Sequence, residues 1–456
     1  MSASRPARLS LSLMLAVGAL AGGCRFRGAP PPAPPPNVVI VVVDALRADR
    51  LGVAGYARPI TPNVDRLAGQ GVYFKNAYAQ ATWTKPSIAT LMTSLYPSEH
   101  GLVRLGVSDA AGGFVTDRLP AAATTLAERF HAAGYRTFAV VNQVHLQEKL
   151  GFAQGFESYQ WRRGKTAFQL NRIFESLLAE PDSRPLFAWI HYLDVHWPYL
   201  SRLRGPNAPD LGSTAMAHEP PQGLDFVTAW AHESLDAPTR AALITRYDHE
   251  VAFADAAIGE LVGMLAAAGR FENTILVVTA DHGESFGEHG PLMHGHLPYE
   301  PELRVPLVLR LPKAPERPSG ARSTPVGLID LAPTLLELAG LPANPPAMHG
   351  VSLVPVISGE EWPDRPAFAQ TDEGWSVRVG RLKLLAMSDG SYEHYDLEAD
   401  PGERTNLAAG GCSGPCEKLL SQLRALRVRL AAPAPLGAAE PLGAEDVEEL
   451  RALGYL

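Results

Sequence analysis

The sequence predicts an α/β protein: a mostly parallel central sheet sandwiched by helices, followed by a small C-terminal α+β subdomain. Short, nearly continuous β-branched or apolar runs, such as Asn-Val-Val-Ile-Val-Val-Val at 37–43, are what strands buried on both faces of a parallel sheet require. Segments of helical period separate those runs, and strand–helix alternation is the pattern of parallel sheets. Polar residues close four of the runs, at the strand ends where such sheets form their ligand crevice. The composition agrees. The 456 residues are 46% apolar and 19% charged with a mean hydropathy near zero, a profile that excludes a disordered or multi-span membrane protein. Forty basic and 48 acidic residues give a formal net charge of -8 without a long basic run, so there is no electrostatic footprint for nucleic acid.

The N-terminal residues read as export and tethering rather than fold. Arg5 and Arg8 precede an apolar stretch over 9–21, shorter than the roughly 20 residues of a bilayer-spanning helix, and Gly22 and Gly23 follow. This layout predicts a secretory signal peptide over 1–23 and an exported, periplasmic or cell-envelope location. Cys24 comes directly after Leu20-Ala21-Gly22-Gly23, which resembles the bacterial lipoprotein signal and implies a membrane contact through a lipid on Cys24. The rest of 24–36 is a linker, stiffened by prolines at 30–36 with only Ala33 interrupting. Export also places Cys412 and Cys416 in an oxidising space, where they can close a loop disulfide; two thiols are too few for a zinc site.

The main domain is expected over 37–363. Its strands are predicted at 37–43, 137–141, 186–193, 274–279 and 305–311, with helices at 124–133 and 240–268. Asp44, Asn142, Asp194 and Asp281 fall at or just past the ends of the first four strands. Residues 201–239, rich in Pro, Gly, Asp and Ala, read as an insertion over the crevice mouth. The subdomain at 364–456 has predicted strands at 367–370 and 376–385 and a helix at 417–430.

Four clusters carry the chemistry. They are Asp44; Thr84 and Lys85 in Thr-Trp-Thr-Lys-Pro-Ser at 82–87; Asp194 with His196; and Asp281-His282-Gly283-Glu284 followed by His289, His294 and His296. Carboxylates and imidazoles at strand ends suit one or two divalent cations, Zn or Mn before Ca or Mg, because hard oxygen and borderline nitrogen donors combine. A hydroxyl at a helix N-terminus is placed to attack, and the helix dipole and free N–H groups there receive an oxyanion. Taken singly, Asp44 reads as an N-cap and Thr84 as a helix cap. Four histidines within 282–296 exceed what a solvated loop requires.

The ordered motifs resemble the sulfatases, within the alkaline phosphatase superfamily. They are Asn37-Val38-Val39-Ile40 with Asp44-Ala45-Leu46-Arg47; Thr61-Pro62-Asn63-Val64-Asp65; Pro86-Ser87; and Leu95-Tyr96-Pro97-Ser98-Glu99-His100-Gly101. Asp281-His282-Gly283-Glu284, Tyr299-Glu300, Arg304-Val305-Pro306, Asp330-Leu331-Ala332-Pro333-Thr334, Gly380-Arg381-Leu382 and Tyr395-Asp396-Leu397 continue the series. The resemblance implies an alkaline phosphatase/sulfatase-like fold and a metal-dependent ester hydrolase.

Departures from the family pattern refine that expectation. Thr84 stands where the family carries the Cys or Ser that becomes formylglycine, and Ile88 where it carries an Arg. Ala45 replaces the second acid of the usual pair, and Asn142-Gln143-Val144-His145 replaces Lys-x-x-His. A Thr nucleophile, an Asn near the transferred group and Asp-His after the late strand are similar to the superfamily's phosphodiesterases and phosphoethanolamine transferases. The expected reaction is therefore direct attack of Thr84 on a phosphate or sulfate ester of a small molecule, glycan or lipid. Asp44, Thr84, Asp281 and His282 hold one cation in this reading, with Asp194 and His296 as further metal candidates. Asn142 and Lys85 hold non-bridging oxygens, while His196, His294 and His296 either bind a second cation or protonate the leaving group. Two rivals remain: a phosphoryl or head-group transferase on envelope lipids or glycans, and a non-catalytic binding protein on the same fold.

Overall fold

In the computed structural model of the chain, the described residues run from Pro34 to Tyr455, apart from 109–113, 201–235, 315, 344, 346–347 and 431–438. Eight strands form the central sheet: β1 (Asn37–Val43), β2 (Val72–Phe74), β3 (Arg136–Val141), β4 (Ser158–Trp161), β5 (Leu186–Tyr192), β6 (Thr274–Thr279), β7 (Leu307–Arg310) and β8 (Gly320–Arg322). Their order is β8-β2-β7-β6-β1-β5-β3-β4. The run from β6 to β4 is parallel, and β7 alone opposes its neighbours β6 and β2. Each residue from Val38 to Val43 is fully buried, because β1 lies between β5 and β6 with both faces covered. Branched side chains suit such a position.

The main-body helices are α1 (Pro62–Gly69), α2 (Thr84–Thr93), α3 (Leu126–Ala132), α4 (Ala167–Leu178), α5 (Ala237–Ala267) and α6 (Leu331–Leu338). One group, α1, α4 and α5, packs together, and α2 packs with α3 and α6; α3 and α4 both lie against β3 and β5. Local signals set the helix starts. Thr125 and Glu128 form a capping box on α3, and Asp236 accepts from Thr239 N–H at 2.8 Å to open α5.

Two sequence expectations are corrected. The run at 305–311 is not one strand: Arg304–Val305 pairs with Ala77–Tyr78, and Leu307–Arg310 joins the central sheet antiparallel to β6. Pro306 between them has no N–H to continue a ladder. The strand expected at 376–385 is a hairpin, β10 (Gly374–Val379) and β11 (Leu382–Met387), flanked by β9 (Ala367–Gln370) and β12 (Tyr392–Asp396). Gly380, at φ 55°, takes the left-handed turn that a side chain would disfavour.

On this four-stranded antiparallel sheet lies α7 (Pro415–Arg429), burying Leu419, Leu420, Leu423 and Leu426 against Val377 and Leu384. Cys412 and Cys416 are joined by a disulfide. Tyr96 and Ile329 share that apolar cluster, which makes the C-terminal sheet a lobe of one compact unit beginning at Pro35. Cys24, the linker before Pro34 and residues 201–235 lie outside the described residues, while Ala237, Pro238 and Thr239 belong to α5.

Candidate active site

Strand ends and one helix start converge at the carboxyl edge of the sheet. Asp44 follows β1 and donates its backbone N–H to the Tyr192 carbonyl at 2.9 Å. The next residue, Ala45, sits at φ 58°, a conformation that costs a non-glycine residue about 1 kcal/mol or more. Its N–H donates to Asp281 Oδ1 at 3.2 Å, and its carbonyl accepts from Tyr247 Oη at 2.7 Å. Those bonds hold the strained turn and keep the Asp44 carboxylate fully buried above the sheet.

Asp281 and His282 follow β6 by the same logic. Gly283 is required by a close approach: a Cβ there would lie 2.0 Å from the Pro301 carbonyl oxygen. His282 Nδ1 donates to the Gly283 carbonyl at 2.8 Å. Its Nε2 therefore faces Asp44 Oδ1 at 3.3 Å and Asp281 Oδ2 at 3.6 Å. Two further side chains close this group, and the residue reading missed both. His191, beside Val42 in the register of β1 and β5, places Nε2 3.5 Å from Asp281 Oδ2 and 3.8 Å from Asp44 Oδ2. Gln143 donates from Nε2 to Asp44 Oδ2 at 3.1 Å.

Thr84 is the first residue of α2, and it does not cap that helix. Its Oγ1 lies 3.3 Å from Asp44 Oδ2 and 3.4 Å from His282 Nε2, fully buried. Opposite stand His196 and His294, with ring centroids 4.7 Å apart. His196 donates from Nδ1 to the Trp197 carbonyl at 2.6 Å; His294 donates from Nδ1 to Glu284 Oε1 at 2.9 Å. His294 Nε2 is thereby an acceptor, and both Nε2 atoms aim at one point. Tyr455 Oη occupies that point, 3.1 Å from His196, 3.2 Å from His294 and 3.3 Å from Thr84 Oγ1.

The remaining sequence candidates are placed differently. Asp194 Oδ2 accepts from Ala167 N–H at 2.9 Å, at the start of α4. Asn142 donates to the Lys165 carbonyl at 2.6 Å, and it is its neighbour Gln143 that meets Asp44. Lys85 is buried, with Nζ bonded to Thr116 Oγ1 and, at 3.1 Å, to the Asp117 carbonyl. His296 donates its backbone N–H to Glu302 Oε2 at 3.3 Å. Ile88 is fully buried in the core, so no cation stands at that position.

Burial and charge set the protonation of the group. Burial alone would raise the Asp44 carboxyl, but His196, His282 and His191 outweigh it and hold it well below the carboxylate range. Burial opposes the His282 imidazolium, yet Asp281 and Asp44 lift it to about 10. Burial, followed by the His282 and His196 charges, pushes His294 well below its ordinary value, so it stays neutral. The Glu284 carboxyl is raised by burial to about 7, with His196 and the Tyr199 hydroxyl pulling the other way.

A cation suits this group. Asp44 Oδ1 and Asp281 Oδ2 are buried without a hydrogen bond, and one ligand atom each from Asp44, Asp281 and His282 lies within 4.8 Å of the others. Two buried carboxylates side by side are costly unless an ion compensates them.

Comparison with known proteins agrees with the geometry. Residues 36–341 match the family described as Sulfatase, and residues 287–428 match that described as N-sulphoglucosamine sulphohydrolase, C-terminal. Similar proteins include the choline-sulfatase of Rhizobium meliloti, 25% identical over 76% of this chain and 77% of that protein. The Delta 4,5-hexuronate-2-O-sulfatase of Bacteroides thetaiotaomicron is 27% identical, covering 84% and 86% of the two chains. Among solved structures, the phosphonate monoester hydrolase of Agrobacterium radiobacter superposes with a TM-score of 0.69 at 22% identity, over 87% of this chain and 96% of that one. With its mostly parallel sheet, its buried carboxylate–imidazole group and a family match over residues 36–341, the chain belongs to the sulfatase family of ester hydrolases.

Proposed function

We propose that this chain cleaves a phosphate or sulfate ester by direct attack of Thr84 Oγ. The observation that carries the reading is the placement of that hydroxyl, at a helix N-terminus, between Asp44 and His282 on one side and His196 and His294 on the other. Asp44, Asp281 and His282 would hold a divalent cation beside Thr84, with His191 within reach; two carboxylates and an imidazole favour Zn or Mn. Such an ion supplies charge compensation for the oxyanion and lowers the pKa of a hydroxyl beside it.

The chain's own residues divide the remaining work. The positive end of the α2 dipole, where Thr84 stands, favours an incoming anion. Thr84 Oγ, oriented by its hydrogen bond to Asp44 Oδ2, forms its bond to phosphorus or sulfur as its proton passes to water in the crevice. As the bond to the alcohol oxygen breaks, that oxygen takes a proton from His196 in its charged form, which carries one on Nε2 while its Nδ1–H stays on the Trp197 carbonyl. In the second half, His294, oriented by Glu284, draws a proton from the water that attacks phosphorus or sulfur; the bond to Thr84 Oγ breaks, and that oxygen regains a proton from water in the crevice. The Thr84 and Ile88 departures favour phosphoryl chemistry, and similar proteins named for sulfate esters and for a phosphonate ester support both ester classes. A buried group of Asp44, Asp281 and His282 able to hold a cation beside Thr84 argues against a binding protein that has lost its chemistry.

Export belongs to the same reading: the signal over 1–23 and Cys24 support a lipid-anchored envelope enzyme, and the Cys412–Cys416 disulfide fits an oxidising compartment. The test is metal analysis of the purified chain beside a panel of phosphate monoesters, phosphate diesters and sulfate esters, with Thr84→Ala in parallel. Bound metal and turnover lost in Thr84→Ala are expected; a metal-free protein, or equal turnover by the variant, overturns the reading. Cys24→Ser should release the protein from membranes, and unchanged fractionation would refute the anchor.

A further inference from the structure

The segment that delivers Tyr455 has no part in the reaction just described. It starts with Glu440 and Pro441 pairing against Thr116 and Val115, and continues as α8 (Ala444–Ala452). Leu450, Leu453 and Leu442 pack with Phe114 and Val144 in a small apolar cluster of their own. Outside that cluster, Arg163 gathers three carboxylates of α8, reaching Glu445 at 3.0 Å, Glu449 at 2.9 Å and also Asp446, which Lys149 meets at 2.9 Å. Beyond the helix the chain reverses at Gly454, φ 81°, and Tyr455 N–H returns to the Leu450 carbonyl at 2.9 Å. Only a left-handed residue permits this helix ending, and it aims the next side chain at the crevice.

The position of that side chain excludes substrate. Reacting atoms in a productive complex stand about 3–3.5 Å apart, and Tyr455 Oη lies 3.3 Å from Thr84 Oγ1. The phenol oxygen and the phosphorus or sulfur of an ester therefore claim the same place. The phenol also fits incompletely. While both imidazoles are neutral, its one proton serves only one of His196 Nε2 and His294 Nε2. The ring rests edge-on against His145, with centroids 4.7 Å apart. Tyr455 is thus held mainly by the apolar and ionic contacts of α8 outside the crevice, contacts that can open without disturbing the catalytic group.

We propose that residues 440–455 form a strap that closes this chain's own reaction site. Tyr455 stands in for the transferred group, and an ester enters when Tyr455 withdraws. The inference rests on the hydrolase reading for its consequence, but its test does not depend on turnover. Inorganic sulfate and inorganic phosphate are titrated calorimetrically into the full metal-supplemented chain, its Tyr455→Ala, Tyr455→Phe and Arg163→Gln variants, with hydrogen exchange followed over 444–455. If the strap is closed in about nine molecules of ten, Tyr455→Ala binds the anion about tenfold more tightly. Tyr455→Phe, which keeps the ring, and Arg163→Gln, which loosens the latch, shift the same way by less. Saturating anion raises exchange over 444–455 in the wild-type chain. Equal, weaker or absent anion binding by Tyr455→Ala, or exchange that falls on binding, overturns the strap and makes Tyr455 a substrate contact or a packing residue. If the affinity and exchange shifts appear while no ester is turned over, the strap stands and the hydrolase reading falls. If turnover depends on Thr84 while Tyr455→Ala matches the wild type, the reverse holds.

Discussion

Glu284→Gln perturbs one link of the mechanism and nothing of the candidate metal group. Glu284 Oε1 accepts from His294 Nδ1 at 2.9 Å, and its Oε2 accepts from the Tyr199 hydroxyl at 2.9 Å. A glutamine offers one acceptor and one donor in the same place, so it can accept from His294 Nδ1 or from the Tyr199 hydroxyl but not from both. If its NH2 faces His294, the imidazole proton moves to Nε2 and the acceptor that the second half-reaction needs disappears. Misplacing a general base removes typically 10²–10⁴ in rate, about 2.7–5.4 kcal/mol at 1.36 kcal/mol per decade. The expected outcome is a kcat lower by about that factor, with KM changed less than about threefold and bound metal unchanged. Single-turnover release of alcohol should survive better than steady-state turnover, because the impaired step is breakdown of the esterified Thr84. An unchanged kcat would remove His294 from the role given to it, and loss of metal would show that Glu284 supports the ligands instead.

Two other predictions concern the ion and the fold. Asp281→Asn keeps an acceptor for Ala45 N–H but removes a charge from the candidate ligand group, so bound metal by elemental analysis should fall well below that of the wild type while the melting temperature stays within several degrees. Full metal retention would contradict the ligand assignment. His100 is fully buried, takes the Leu102 N–H on Nδ1 at 3.2 Å and faces Thr90 Oγ1 with Nε2 at 3.2 Å; burial holds its pKa down at about 3. The unfolded chain binds a proton near the ordinary 6.5, so stability should be lost as pH falls from about 6.5 toward 3. The slope approaches one proton and the total is on the order of 5 kcal/mol. His100→Gln should flatten that part of the denaturation profile, and an unaltered slope would refute the assignment.

The sequence made the framework legible because each framework signal is local. Asn37–Val43 reads as a doubly covered strand from its own seven residues, and so does Thr274–Thr279. Asp44, Asp281 and His282 follow such strands directly, so the topology of a parallel sheet brings them together. His191 was missed because it lies inside an apolar strand rather than after one; a histidine within a run as buried as Leu186–Tyr192 was the available signal. Asn142 and Gln143 show the limit of strand-end reasoning, since a one-residue shift decides which amide meets Asp44 and which turns to Lys165. The hairpin at Gly380 was readable as a glycine inside a strand pattern. Tyr455 was not readable, because its place depends on a helix docking against Phe114, Val144 and Arg163, all far away in the sequence.

Thr84 Oγ is the atom expected to take up the transferred group. Rapid acid quenching of the chain during turnover of an active ester, followed by peptide mass spectrometry, should find phosphate or sulfate on the peptide containing residues 82–87, localised to Thr84 and enriched in Glu284→Gln. An active enzyme with that peptide unmodified, or with the group on another residue, would contradict it.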